Sequence, residues 1–169
     1  MRNRIATVLA LQGLLLGLAI GVRATPAWAA CDTTATSNDW STNCTTYWNA
    51  NKVSRYTLAI QRILAPGGYY SGTIDGDYGT GTQSAVIAYQ AAHGLSADGI
   101  VGPNTWKSLR QQLTNQFTST CNNGEVSWVV YGTGGAFRRN TSTLVYNVLK
   151  KGQITNSCTN HYTMSTAAP

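Results

Sequence analysis

Acidic side chains are scarce in this chain: six Asp and Glu stand against twelve Lys and Arg in 169 residues. Beyond Leu113 one carboxylate is left, Glu125, so a paired-carboxylate glycosidase site cannot be assembled from that tail. Histidine is as sparse, with His93 and His161 alone. His93 falls at the end of a helical pattern and reads as a surface residue. No C-x-x-C and no paired Cys/His spacing occurs, which speaks against a zinc site, and neither metal nor cofactor is expected. The one Cys and His close in sequence are Cys158 and His161, but a cysteine committed to a disulfide is no nucleophile. Basic residues form no stripe. Arg138-Arg139 and Lys150-Lys151 are the only adjacent pairs, a poor match to the clustered charge of a nucleic-acid binder.

The first thirty residues have a different character. Arg2 and Arg4 precede an apolar run from Ile5 to about Ile20, and Ala27-Trp28-Ala29 follows. That order of charged, apolar and small residues reads as a signal peptide over 1–29. A retained membrane anchor competes, because Ile5 to Val22 approaches the roughly 18 apolar residues that span a bilayer, yet Gln12 and three glycines interrupt the run. A lipid-anchored Cys31 competes too, but Trp28 stands where an aliphatic residue is usual. Loss of residues 1–29 removes Arg2, Arg4 and Arg23 and no acid, so the formal net charge of +6 falls by three. The remaining excess suits loose attraction to an anionic envelope, screened within about 10 Å at ordinary salt. The expected location is secreted or extracellular, with no membrane partner after cleavage.

Cys31, Cys44, Cys121 and Cys158 all follow that cleavage point. In an oxidising compartment an even number argues for disulfides, with three pairings open. Cys31–Cys44 and Cys121–Cys158 are favoured, because each would staple a segment too small to hold itself by burial alone. Residues 30–52 are rich in Thr, Ser and Asn, lack an apolar period, carry Trp40, Tyr47 and Trp48 as isolated aromatics, and read as a polar loop or linker.

Between 53 and 113 the pattern turns helical. Val53, Tyr56, Ile60, Ile63 and Leu64 share one face before Pro66-Gly67-Gly68 stops the helix. Thr80 with Gln83 suggests a capping box ahead of Ala85, Val86 and Tyr89, with a stop near Gly94. Pro103 opens a third helix that presents Trp106, Leu109 and Leu113. Three such stripes can bury themselves against one another, so the expected fold is mainly α: a small three-helix bundle. An internal repeat accompanies it. Asp75-Gly76-Asp77-Tyr78-Gly79 with Thr82, and Asp98-Gly99-Ile100-Val101-Gly102 with Thr105, are both D-G-x-x-G-x-x-T immediately before a helix. The aspartates should cap backbone donors while the glycines take positive φ. A calcium loop is the functional competitor, but neither copy supplies the oxygen ligands and closing glutamate of an EF-hand.

The run Ala59-Ile60-Gln61-Arg62-Ile63-Leu64, then Gly68-Tyr69, Ile74-Asp75-Gly76, Tyr78-Gly79, Thr82, Ala85-Val86, Tyr89-Gln90, Gly94-Leu95, Asp98-Gly99, Val101-Gly102, Thr105-Trp106 and Leu109 resembles the type 1 peptidoglycan-binding domain family. The resemblance covers 53–113 and neither flank. It implies a pseudo-symmetric three-helix module of the kind appended to secreted cell-wall hydrolases, with peptidoglycan as partner. Thr57, and Thr80-Gly81 in place of a Gly-Pro helix start, depart from the family pattern. Sugar rings and stem peptides call for flat aromatics and a few placed polar groups, which makes Tyr69, Tyr70, Asp77 and Tyr78 glycan-binding candidates. Tyr78 competes as core packing. Gln61 and Gln90 hold matching family positions, either to orient ligand or to satisfy buried backbone. Trp106 reads as core.

In residues 114–169, Val126 to Tyr131 suggests a strand, Gly132 to Gly135 a turn, and Thr141 to Lys151 a helix with Leu144, Val145, Val148 and Leu149 inward. Together they make a small disulfide-stapled α/β appendage. The reading is a non-catalytic wall-targeting protein; a module serving a small wall hydrolase, in cis or recruited in trans, and a secreted interaction protein are the alternatives.

Overall fold

The computed structural model describes residues 31–117, 125–130, 137–140, 142–150 and 161–169. The signal-like segment, the Gly132–Gly135 turn and the Cys121–Cys158 pairing lie outside the described residues. Three helices, α1 (Arg55–Leu64), α2 (Thr80–Ala92) and α3 (Pro103–Gln111), are followed by strands β1 (Leu113–Phe117), β2 (Glu125–Val130), β3 (Phe137–Asn140), β4 (Tyr146–Leu149) and β5 (His161–Thr163). The strands form one antiparallel sheet in sequential order. The described chain is therefore mixed, not clearly mainly α.

Helix α1 begins two residues later than the apolar stripe suggested. Ser54 is its N-cap, and its hydroxyl accepts from the Thr57 amide at 3.1 Å; a side-chain oxygen there satisfies one of the free donors of the first turn. Val53 consequently lies outside the helix and is 53% exposed. The stripe that remains, Tyr56, Ile60, Ile63 and Leu64, is buried. Helix α2 starts on Gly79 as N-cap with no side-chain cap, so Thr80 is a helical residue and the capping box does not form. Thr82 holds the helix entrance instead, its hydroxyl donating to Asp77 O in the preceding turn at 3.3 Å and accepting from Gln61 Nε2 at 3.1 Å. Helix α3 opens on Pro103 as expected.

The core is not confined to the bundle. Trp40 is fully buried and sits edge-on to Trp106 (6.0 Å) and Tyr146 (5.2 Å) and tilted on Phe137 (5.7 Å). One indole thus joins α3 to the sheet. Residues 31–51 contain isolated bridges and no helix or strand, yet they are packed and not a free linker. A Cys31–Cys44 disulfide closes the segment, Cys44 O accepts from Trp106 Nε1 at 3.1 Å, and Asp32 O accepts from Tyr56 Oη at 2.6 Å.

Within the expected helix over 141–151, Tyr146–Leu149 form a strand. In β4, Tyr146 and Val148 are fully buried with Asn147 between them half-buried, while Leu144 stands 44% exposed at φ 60. Leu144, Val145, Val148 and Leu149 do fit a helical face, but ladder partners on both sides fix the alternating reading: Arg138 pairs with Asn147 and Val148 with Tyr162. Asn140 makes the turn, its Oδ1 accepting from the amides of Ser142 (2.9 Å) and Thr143 (2.8 Å), a side-chain mimic of a backbone turn. Arg62 then ties α1 to the end of β4 by donating to Leu149 O (2.9 Å) and Lys150 O (2.7 Å), and burial lowers its pKa from the ordinary value.

Candidate functional site

Both D-G-x-x-G-x-x-T copies fold into the same bend, and a buried glutamine locks each. Asp75 Oδ1 accepts from the Asp77 amide at 2.9 Å, and Asp98 Oδ1 from the Ile100 amide at 2.8 Å. Gly76 and Gly99 follow the aspartates at φ 80 and 70, the left-handed region that glycine enters without a Cβ penalty. The second glycines differ from expectation: Gly79 and Gly102 are extended helix caps at φ −80 and −91. They end the bend and do not need the left-handed region.

Gln61, on α1, spans the first bend. Its Nε2 donates to Asp75 Oδ1 (2.9 Å), Asp77 O (3.0 Å) and Thr82 Oγ1 (3.1 Å), and its Oε1 accepts from the amides of Asp75 (3.0 Å) and Gly76 (2.8 Å). Gln90, on α2, repeats the arrangement with Asp98 Oδ1 (3.0 Å), Ile100 O (2.9 Å), Thr105 Oγ1 (3.1 Å) and the Gly99 amide (2.9 Å). Both glutamines are essentially inaccessible, at 0% and 1% exposure. A buried amide with this many partners satisfies backbone groups that would otherwise be orphaned. Of the two roles open to Gln61 and Gln90, the geometry supplies the structural one.

The aromatic candidates separate by burial. Tyr78 is fully buried and donates to Gly99 O at 2.8 Å, linking the two bends; burial, and secondly Asp98, push its pKa upward. Tyr69 is half-buried, edge-on to Tyr89 at 5.4 Å, and Tyr89 stacks on His93 at 4.0 Å. Burial raises the Tyr89 pKa, opposed by its hydrogen bond with Ser108. A cleft of about 320 Å³ opens between this cluster and Pro66. Tyr70 is half-buried, donates to Thr73 O (2.7 Å) and accepts from Gln61 Nε2 (3.2 Å). Asp77 lies on the rim, 3.9 Å from Lys52 Nζ. Lys52 in turn sits 4.4 Å over the ring of Trp48, which is 39% exposed. Of the six candidates, then, Tyr69, Tyr70 and Asp77 reach the surface of the first bend, while Tyr78, Gln61 and Gln90 are inside.

At the second bend a groove of about 420 Å³ runs along the start of α3, bounded by Gln90, Leu95, Ser96, Asp98 and Asn104. Motif reading passed over it. The signal was available only by setting the two copies side by side, where Ser96, like Tyr70, stands two residues after a left-handed glycine.

Residues 57–109 match the family model of the putative peptidoglycan binding domain. An N-acetylmuramoyl-L-alanine amidase of Mycobacterium tuberculosis is 46% identical over 50 residues, 30% of this chain and 12% of its own. A zinc D-Ala-D-Ala carboxypeptidase of Streptomyces albus G is 40% identical over 58 residues, 31% of this chain and 23% of its own. A peptidoglycan-binding protein of Clostridioides difficile, solved with glutamine hydroxamate, is 38% identical, covering 38% of this chain and 39% of that one, at a TM-score of 0.35. The chain thus spans less than a quarter of the length of each of these two enzymes. Residues 57–109, which take in both bends, α2 and all but the outer ends of α1 and α3, thus carry the pattern of the peptidoglycan-binding domain family.

Proposed function

We infer that this protein is a secreted, non-catalytic cell-wall binder, whose helical domain docks on peptidoglycan through the surface of its bends. The observation that carries the reading is the family match over 57–109, on a segment whose two bends are both locked by buried glutamines. Export is supported by the signal-like order of residues 1–29 and by the Cys31–Cys44 disulfide, which suits an oxidising compartment. Absence of catalysis is supported by the composition of the tail, with Glu125 as its one acid. Tyr69 and Asp77, which reach the surface of the first bend, are the proposed contacts there with glycan or stem peptide, while the half-buried Tyr70 turns its hydroxyl onto Gln61. A single small module binds weakly, and retention on a wall comes from the repetition of sites along the polymer.

A second reading has its own support: two of the matched proteins are by name wall enzymes, an amidase and a carboxypeptidase. In that reading the chain delivers a hydrolase, in cis or in trans. Sedimentation with purified insoluble peptidoglycan, run beside a turbidity assay, separates them. Retention in the pellet with constant turbidity is the expected result. Falling turbidity would favour the hydrolase reading, and protein left in the supernatant would defeat both.

A further inference from the structure

The two bends are copies, but only one carries its own plug. After α1, Gly68 turns left-handed at φ 76; after α2, Gly94 does so at φ 67. Two residues further on stands Tyr70 in the first copy and Ser96 in the second. The Tyr70 ring reaches back into its bend: its hydroxyl lies 3.2 Å from Gln61 Nε2, and a Cβ at Gly81 would lie 3.7 Å from its Cε2. Gly81 occupies the position in α2 that Asn104 occupies in α3, two residues after the cap. Ser96 is too short to follow Tyr70, the stretch to the aspartate is three residues shorter (Gly94 to Asp98 against Gly68 to Asp75), and a groove of about 420 Å³ lies open between Gln90 and Asn104. Gln61 Nε2 therefore meets a fourth oxygen beyond the three that both copies share. Gln90 Nε2 meets the three counterparts, and Gln90, 1% exposed, borders the groove from behind.

We propose that the Ser96–Asn104 groove is a subsite for one neutral six-membered sugar ring of the glycan strand, bound as the Tyr70 ring is bound in the first bend. This rests on the wall-binding reading and makes it specific. Tyr70 is the model for the occupant: a ring with a hydroxyl at its edge, lying against the second residue of the following helix. Leu95, Ile100 and Pro103 supply apolar surface for a ring face, and Ser96 and Asn104 supply polar edges. The exposed Asp98 carboxylate on the same wall repels a stem-peptide carboxylate and tolerates a neutral N-acetylated sugar.

The test uses the processed full chain, isotope-labelled, titrated with a β-1,4-linked N-acetylglucosamine tetramer and separately with a free stem pentapeptide. The tetramer should shift the amides of Ser96, Gly99 and Asn104 saturably, and the peptide should not. Ser96→Tyr, which supplies the missing plug, should raise the tetramer Kd about tenfold or more without lowering the melting temperature. Asn104→Ala, at an exposed site, should weaken binding in the same direction and serves should Ser96→Tyr fail to fold. Tetramer shifts elsewhere, shifts from the peptide alone, or unchanged affinity in the variants overturns the subsite. Sedimentation of both proteins keeps the two claims apart: wild type left in the supernatant defeats the wall-binding reading, whereas full retention of Ser96→Tyr with an unchanged tetramer Kd defeats the subsite only.

Discussion

Gly76 and Gly79 look equivalent in the D-G-x-x-G pattern, and the molecule treats them differently. A Cβ at Gly76 would meet Pro169 Cγ at 2.6 Å and Ser54 O at 3.1 Å on a backbone at φ 80, whereas one at Gly79 would meet nothing within 4 Å. Gly76→Ala should therefore cost about 2 kcal/mol or more, and Gly79→Ala less than about 1 kcal/mol, the range of a changed N-cap. Urea denaturation of the two variants should give that order. Spacing disclosed that the bends exist but not which glycine carries the strain, because that depends on the C-terminal residue packed against one of them. Gln61 belongs to the same scale. Gln61→Ala strips the acceptor from two bend amides and the donor from four oxygens. The loss should be about 3 kcal/mol, typical of buried groups left unsatisfied. Gln61→Glu should not rescue it, since a carboxylate would face Asp75 Oδ1.

At the scale of elements, the helices were legible because their faces and stops are local, while the packed loop and β4 were not. The apolar residues of 144–149 fit either period, and the decision comes from neighbours in the ladder that no window of sequence contains. Residues 31–51 read as polar because most of them are; the few that matter, Trp40 and Cys44, act through distant partners. That loop makes a pH prediction. Asp39 accepts from the Ser41 hydroxyl (2.7 Å) and amide (3.1 Å), and these bonds, aided by Ser37 and Lys107, hold its pKa down from 3.8 to about 2. A depressed carboxylate stabilises the folded loop above its unfolded pKa and loses that contribution as pH falls through the folded one. The loop should therefore loosen between about pH 4 and pH 2, seen as faster exchange of the Ser41 amide, and Asp39→Asn should flatten the dependence. Because the carboxylate is exposed, global stability should change little.

At the scale of the whole molecule, the family match stops at residue 109 and the core does not. Tyr56 and Trp106, central to the helices, hand their polar atoms to Asp32 O and Cys44 O outside the matched segment, and Trp106 packs edge-on to Trp40. On the far side Trp40 meets Phe137 and Tyr146 of the sheet. A fragment of residues 53–113 would expose faces of Tyr56 and Trp106 that the intact chain covers, at about 1.5–3 kcal/mol for each large apolar side chain returned to water, and would leave both polar atoms to solvent. It should unfold at markedly lower urea than the intact chain, with Trp106 emission shifted to the red. Trp40→Ala in the full chain should reproduce much of that loss, about 3–5 kcal/mol, without touching the bends. Equal urea midpoints for fragment and intact chain would mean that the flanks merely lie against a self-sufficient bundle. A large difference would mean that the helices, the stapled loop and the sheet fold as one unit, so that the twin bends are held from behind by the rest of the protein.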